Sequence, residues 1–158
     1  MKDGFLEFEE LGVGSRLNRL SGYIMRETQE VYDALEINFD PYLFPIFKLI
    51  IEVDGITTTH IQEALKYTQP AITQSVKKLT NLGYVTSTAD ERDGRKKIIR
   101  LSSKGKNIHK RLVPVWKVIE TEVKMLTQIK TNSLVEVLEK IELALQEKSL
   151  NKRILEKL

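Results

Sequence analysis

Cysteine is absent from the chain, and histidine and tryptophan are scarce, with two and one copies among 158 residues. Without cysteine neither a disulfide framework nor a thiol-based sensor can form, and the composition suits a reducing cytosol. His60 and His109 lie far apart and in no metal-ligand spacing, so no metal centre is expected. Apolar runs of about 18 residues or more are missing, and MKDGFLEFEEL lacks a basic region followed by an apolar one. A soluble cytoplasmic chain with no membrane partner is expected. Nothing resembles a nucleophile with its base. Gly12-Val13-Gly14 matches only part of a phosphate-binding loop and has no preceding strand. Neither an enzyme nor a cofactor is expected.

The length fits one domain with a real core. The net charge of +3 conceals an asymmetry. Lys66 to Arg111 holds twelve Lys or Arg against three acids, a balance of +9, which leaves −6 on the remainder. Basic charge gathered on one stretch is the footprint of a nucleic-acid-binding face, and a solvated basic surface is the plain alternative.

That basic stretch contains the most informative pattern. In TQPAITQSVKKLTNLG, Ile72, Val76 and Leu79 recur at steps of four and three, which places them on one helix face. Gln69, Thr73, Gln74, Lys77, Lys78 and Asn81 fall on the other. Thr68 is the expected N-cap, Pro70 sits in the first turn, and Gly83 follows Leu82 as a stop. Tyr84 to Thr88 and Lys97 to Leu101 are rich in β-branched residues and flank a polar loop with Gly94, which predicts a β-hairpin. Upstream, Thr59-His60-Ile61-Gln62 fits a capping box, predicting a short helix from about His60 to Lys66 that buries Ile61, Ala64 and Leu65. Helix, turn, helix, strand, basic loop, strand is a winged helix-turn-helix, whose second helix enters a major groove and whose hairpin tip reaches a minor groove.

From Ile56 to Gly105 the chain resembles the MarR family of bacterial transcription regulators. Asp90-Glu91-Arg92-Asp93-Gly94-Arg95 fits that family's wing signature D-x-R-D-x-R, and Leu101-Ser102-Ser103-Lys104-Gly105 is similar to its L-[ST]-x-x-G entry into the next helix. The resemblance covers roughly a third of the chain by motif and all of it by helix order. It implies a dimeric repressor or activator, with Arg95 inserted in the minor groove and Asp93 orienting that arginine. A planar guanidinium suits the narrow, strongly negative groove. Asp93 can hold it by a charge-assisted hydrogen bond. Arg92, Lys96 and Lys97 would add phosphate contacts, although one of them can serve only to balance Asp90 and Glu91.

Within the preceding helix, Gln69 and Gln74 can pair with adenine, Thr73 offers a hydroxyl and a methyl, and Pro70 adds apolar contact. Lys77 and Lys78 suit phosphates, so binding should fall steeply with salt. A solvated helix face is the alternative for each of these residues.

Around this region three amphipathic helices are expected. Leu17, Leu20, Ile24, Val31 and Leu35 mark the first, with Ser15 as its cap, and the resemblance puts this helix in a dimer interface. Ile108, Leu112, Val115, Ile119, Val123 and Leu126 mark another, capped by Ser102 and kinked near Pro114. Ser133-Leu134-Val135-Glu136 is a capping box that opens the last, and the tail from Lys148 either extends it or frays. After a turn at Asn38, Asp40 and Pro41, the apolar segment Tyr42 to Val53 is expected to be buried on more than one side. Ile56-Thr57 can add a third strand beside the wing.

The expected architecture is mainly α with a small β-hairpin wing. One MarR-like domain over 1–158 would use 41–101 for double-stranded DNA and 1–38 with 103–158 for a homodimer. Packing of all three helices within one chain is the alternative to the dimer. Trp116, Tyr23, Tyr42, Phe44 and Phe47 could line a cavity for an aromatic or phenolic effector, or be core. Two other classes stay open: a winged helix used for protein contacts, and an enzyme.

Overall fold

A computed structural model describes residues 4–89, 97–129 and 132–158. The chain divides into two compact units, Met1–Val113 and Pro114–Leu158. As the sequence predicts, it is mostly helical with a small antiparallel sheet.

In the first unit, two 3-10 turns, Gly4–Leu6 and Glu9–Gly12, lead into α1 (Val13–Ala34). Ser15 is not its cap. Gly12 already has helical angles, so the turn winds straight into α1 with no side-chain cap and Ser15 falls inside the helix. The expected stripe of α1 is open in the single chain, with Leu17, Leu20, Ile24, Val31 and Leu35 between 37% and 47% exposed. Only Tyr32 of this helix is buried.

At the end of α1, Glu36 takes the left-handed conformation at φ 52. Glu36 N–H donates to Asp33 O at 3.0 Å and Ile37 N–H to Tyr32 O at 2.8 Å, which is the Schellman pattern that closes a helix. The chain then runs inward, burying Ile37 and Phe39. Asp40 accepts from Tyr42 N–H at 2.9 Å and caps the 3-10 turn Pro41–Leu43, which continues into α2 (Phe44–Glu52). Ile46, Phe47 and Ile50 of α2 are buried, but Tyr42 and Phe44 are 60% and 39% exposed. The apolar segment is therefore buried on one side, because the 3-10 turn sets its first residues outward before the α-helix begins.

Next come β1 (Ile56–Thr57), α3 (Thr58–Leu65), α4 (Gln69–Asn81), β2 (Val85–Ala89) and β3 (Lys97–Leu101). The sheet order is β1-β3-β2, all antiparallel, with Ile56 opposite Ile99 and Val85 opposite Leu101. The expected third strand is therefore present, and the wing's first strand starts one residue later than Tyr84. The cap of α3 is Thr57, not Thr59: its hydroxyl accepts from His60 N–H at 3.1 Å. Thr57 is still paired in β1, so the last strand residue has the extended angles a cap needs, and the helix starts two residues early. Ile61 is buried and Leu65 half-buried, but Ala64 is exposed, since it lies about 60° round the helix from Ile61 on the side away from Leu65. Ile46, Phe47, Ile50, Ile56, Ile61, Ile72, Leu79, Ile99 and Leu112 form the core. Each contributes roughly 1.5–3 kcal/mol of burial.

The long helix α5 (Ser103–Thr127) starts in this unit and carries Pro114 at the border with the second. Ser102 caps it as expected, accepting from Gly105 N–H at 2.9 Å.

The second unit also holds a short hairpin, β4 (Gln128–Ile129) with β5 (Asn132–Ser133), which the sequence pattern did not predict. It is followed by α6 (Leu134–Glu147) and α7 (Leu150–Leu155). The predicted capping box is present: Ser133 Oγ accepts from Glu136 N–H and Ser133 N–H donates to Glu136 Oε2, both at 3.2 Å. The tail neither extends α6 nor frays. Lys148 adopts an extended conformation, and α7 folds as a separate helix whose Arg153 donates to Lys148 O and Ala144 O at 2.8 and 2.6 Å. Among the described residues no helix is long and apolar enough to cross a membrane.

Candidate nucleic-acid interface

The helix α4 is built as a two-faced element. Ile72 and Leu79 are 0% exposed and anchor it to the core, which leaves the opposite face in solvent. Thr68 Oγ1 accepts from Ala71 N–H at 3.4 Å, and Pro70 takes a first-turn position where no N–H is needed. At the far end, Gly83 N–H donates to Thr80 O and Tyr84 N–H to Leu79 O, each at 2.9 Å, with Gly83 at φ 74. This is a second Schellman closure, here with the residue that adopts the conformation freely.

Gln69, Pro70, Thr73, Gln74, Lys77 and Lys78 are all exposed on α4. Thr73 donates its hydroxyl proton to Gln69 O at 2.9 Å, which leaves its methyl and its oxygen lone pairs available outward. Lys78 is engaged with Asp40 at 3.2 Å, so it is held to the protein rather than extended. Gln69, Thr73 and Lys77 share an open cleft of about 510 Å³ with Thr57, Thr58, Thr59, Ser87 and Lys97. The cleft floor is Val76 and Ile99, and its walls are the start of α3, the outward face of α4 and the wing strands. Arg92, Asp93, Arg95 and Lys96, the remaining predicted site residues, lie outside the described residues.

The sequence pattern does not assign Thr57, Thr58 and Thr59 at the start of α3, or Ser87 on the wing, to this surface. The run Thr57-Thr58-Thr59 at the start of a helix is the signal in the sequence that marks the three threonines. Of the residues considered for an effector cavity, Phe47 is core, with its ring 5.2 Å from Phe39 and 6.2 Å from Tyr84.

The wing is fixed to α4 and α5 at one root. Ser102 Oγ donates to Gly83 O at 2.5 Å, and Ser102 N–H donates to Tyr84 O at 3.0 Å. A side chain at Gly105 would put its Cβ 2.0 Å from Tyr84 O, so only glycine lets α5 come this close. Tyr84 is buried, and its hydroxyl donates to Asn38 O at 2.5 Å. Burial raises the pKa of this phenol, against a smaller opposing pull from the Arg111 cation. His109 on α5 is shifted down, first by burial and then by the charge of Lys48.

A helix-turn-helix whose second helix is polar outward, followed by a two-stranded wing pinned to that helix, defines a winged helix-turn-helix protein. Residues 44–96 match the family described as MarR. Solved structures share the fold over nearly the whole chain. A mutant MarR from E. coli complexed with operator DNA aligns with a TM-score of 0.69 at 18% identity, covering 91% of this chain and 99% of that one. The transcriptional regulator BldR from Sulfolobus solfataricus aligns at 0.65 and 23% identity, covering 93% and 99%. The PcaV transcriptional regulator from Streptomyces coelicolor, in complex with its natural ligand, aligns at 0.64 and 16%, covering 96% and 98%. Among curated proteins no sequence matches. The MarR family model thus matches the helix-turn-helix and first wing strand of this chain, and the likeness to the solved regulators extends the shared fold to the flanking helices.

Proposed function

We propose that the chain is a sequence-specific, ligand-responsive repressor that binds a pseudo-palindromic operator as a homodimer. The carrying observation is α4, clamped to the core by Ile72 and Leu79 while Gln69, Thr73, Gln74 and Lys77 stand exposed above the cleft. In this reading Gln69, Pro70, Thr73 and Gln74 meet base edges in the major groove, and Lys77 and Lys78 meet phosphates. Arg95 enters the minor groove with Asp93 beside it, and Arg92 and Lys96 add phosphate contacts.

Residues 41–101 serve DNA, and 1–38 with 103–158 serve the dimer. The open apolar stripe of α1, and Val137, Ile141 and Leu145 on α6, support a partner of the same kind. An effector biases the spacing of the two recognition helices, a reading supported by the likeness to PcaV, whose structure holds a ligand. The test is operator binding by Arg95→Ala and by Gln69→Ala with Gln74→Ala, on duplexes selected from a random pool by the unaltered protein. Losses of at least tenfold for each, and a steep fall in affinity with salt, are expected. Unchanged affinity would instead fit a winged helix used for protein contacts.

A further inference from the structure

We propose that Arg111 and Tyr84 are positioning residues that set the direction of α1 on the winged region and thereby the half-site spacing the dimer accepts. The inference rests on the homodimer reading above. Two separate links join the end of α1 to the end of α4. Along the first, Tyr84, the residue that completes the closure of α4, reaches across the core and donates to Asn38 O, three residues beyond the C-cap Leu35. Along the second, Gly83 and Tyr84 are bound to Ser102 at the start of α5, and Arg111, two turns further on, returns to α1. One terminal nitrogen of Arg111 donates to both Leu35 O and Glu36 O, at 2.9 and 3.2 Å.

Leu35 O is the C-cap carbonyl, left without a partner inside the helix, and Glu36 O directly follows it, so a cation there also opposes the negative end of the helix dipole. The contact therefore holds a particular helix end by its outermost atoms, where leverage on the axis is greatest. Phe39 fills the space between the links, with its ring 6.0 Å from Tyr32 and 6.4 Å from Tyr84. The bend itself sits at Glu36, a non-glycine residue in the left-handed conformation, which the neighbouring contacts must hold in place.

The geometry gives this ring of contacts a measurable consequence. A 22-residue helix is about 33 Å long. A tilt of about 6° at its root moves the far end by about 3.4 Å, the rise of one base-pair step, which also rotates the site by about 35° around the duplex axis. If α1 lies in the dimer interface, loosening its root by a few degrees lets the partner's recognition helix follow the rise of an added step, while twisting of the duplex supplies the accompanying rotation of about 35°.

The experiment uses the full chain and operator duplexes selected from a random pool by the unaltered protein. Derivatives lengthen or shorten the half-site separation by one and two base pairs. For the unaltered protein, affinity should fall at least tenfold for a one-step change. Arg111→Ala and Tyr84→Phe should remain dimeric and folded and bind an isolated half-site as before, yet lose most of that discrimination. Arg111→Lys keeps the cation but cannot reach both carbonyls, and should recover it only in part. A merely structural role would lower thermal stability and affinity for every spacing alike, and that result overturns the proposal. Should Arg111→Ala fail to fold, Tyr84→Phe and Arg111→Lys decide it, since unchanged spacing discrimination in both also overturns it. Failure of the unaltered protein to select any duplex would instead refute the DNA-binding reading itself.

Discussion

Replacing Gly105 with alanine tests the joint that carries the wing. The added Cβ would lie 2.0 Å from Tyr84 O, 2.9 Å from Tyr84 C and 3.2 Å from a methyl of Leu101. Ordinary contact begins near 3.4 Å, so α5 and the wing root must separate by more than 1 Å. Neither side can yield freely, because Ser102 bridges them through its amide to Tyr84 O at 3.0 Å and its hydroxyl to Gly83 O at 2.5 Å. Overpacking costs about 1–3 kcal/mol, and each strained hydrogen bond adds about 1 kcal/mol. A loss of roughly 3–5 kcal/mol is expected, a large share of the stability of a domain. Urea unfolding followed by circular dichroism measures it, with Gly22→Ala as the control. Gly22 lies inside α1 with nothing within 4 Å of an added Cβ, so that change should stabilise by up to about 1 kcal/mol. A Gly105→Ala midpoint equal to that of the unaltered protein would refute the close approach of α5 to Tyr84.

Other perturbations follow from single contacts. Because burial raises the Tyr84 pKa in the folded state, the unfolded chain releases that proton first as pH passes 10.0. The folded state then holds more protons, so stability is full below that pH and falls as pH rises above it. Tyr84→Phe should flatten this alkaline limb in pH-dependent melting while costing about 1 kcal/mol at neutral pH from the unpaired Asn38 carbonyl. His109 is shifted the other way, so its contribution is full above 6.5 and is lost as pH falls through the lowered folded value. His109→Gln should weaken that acid limb in the same assay. Ser133→Ala removes half of the capping box, and α6 has no buried residue in the single chain, so a loss of about 1 kcal/mol should appear as faster amide exchange in its first turns. Asp40→Asn keeps an acceptor for Tyr42 N–H but frees Lys78, and operator affinity should rise severalfold at low salt if Lys78 takes a phosphate. Unchanged affinity would remove Lys78 from the interface.

The helix from Thr68 to Gly83 was legible because each signal there has one meaning. Thr68 caps, Pro70 fits only a first turn, Gly83 stops, and the steps between Ile72, Val76 and Leu79 admit one helix face. The cap of α3 was misplaced because Thr57, Thr58 and Thr59 are chemically alike in the sequence. Pairing of Thr57 with Ile98 decides among them, and strand pairing is not a local property. The exposed face of α4 could be read from spacing alone. The cleft could not, since it depends on where α3 and the wing strands come to rest beside α4.

The two helix ends show how the same backbone closure can be plain in one place and hidden in another. The end of α4 spends a glycine on the left-handed position, whereas α1 puts Glu36 there. An L residue in that conformation costs roughly 1–2 kcal/mol, so the fold must supply contacts that glycine would make unnecessary. Those contacts are the ones at Ile37, Phe39, Tyr84 and Arg111, and the last two lie far outside the local window that a helix-stop signal uses. Glycine at 36 would relieve the strain but also free the bend in every direction. A glutamate held in place by its surroundings gives a bend with one angle. If α1 joins the proposed dimer, where about 6° at its root moves the far end by the rise of one base pair, a fixed angle would serve spacing discrimination better than a relaxed one.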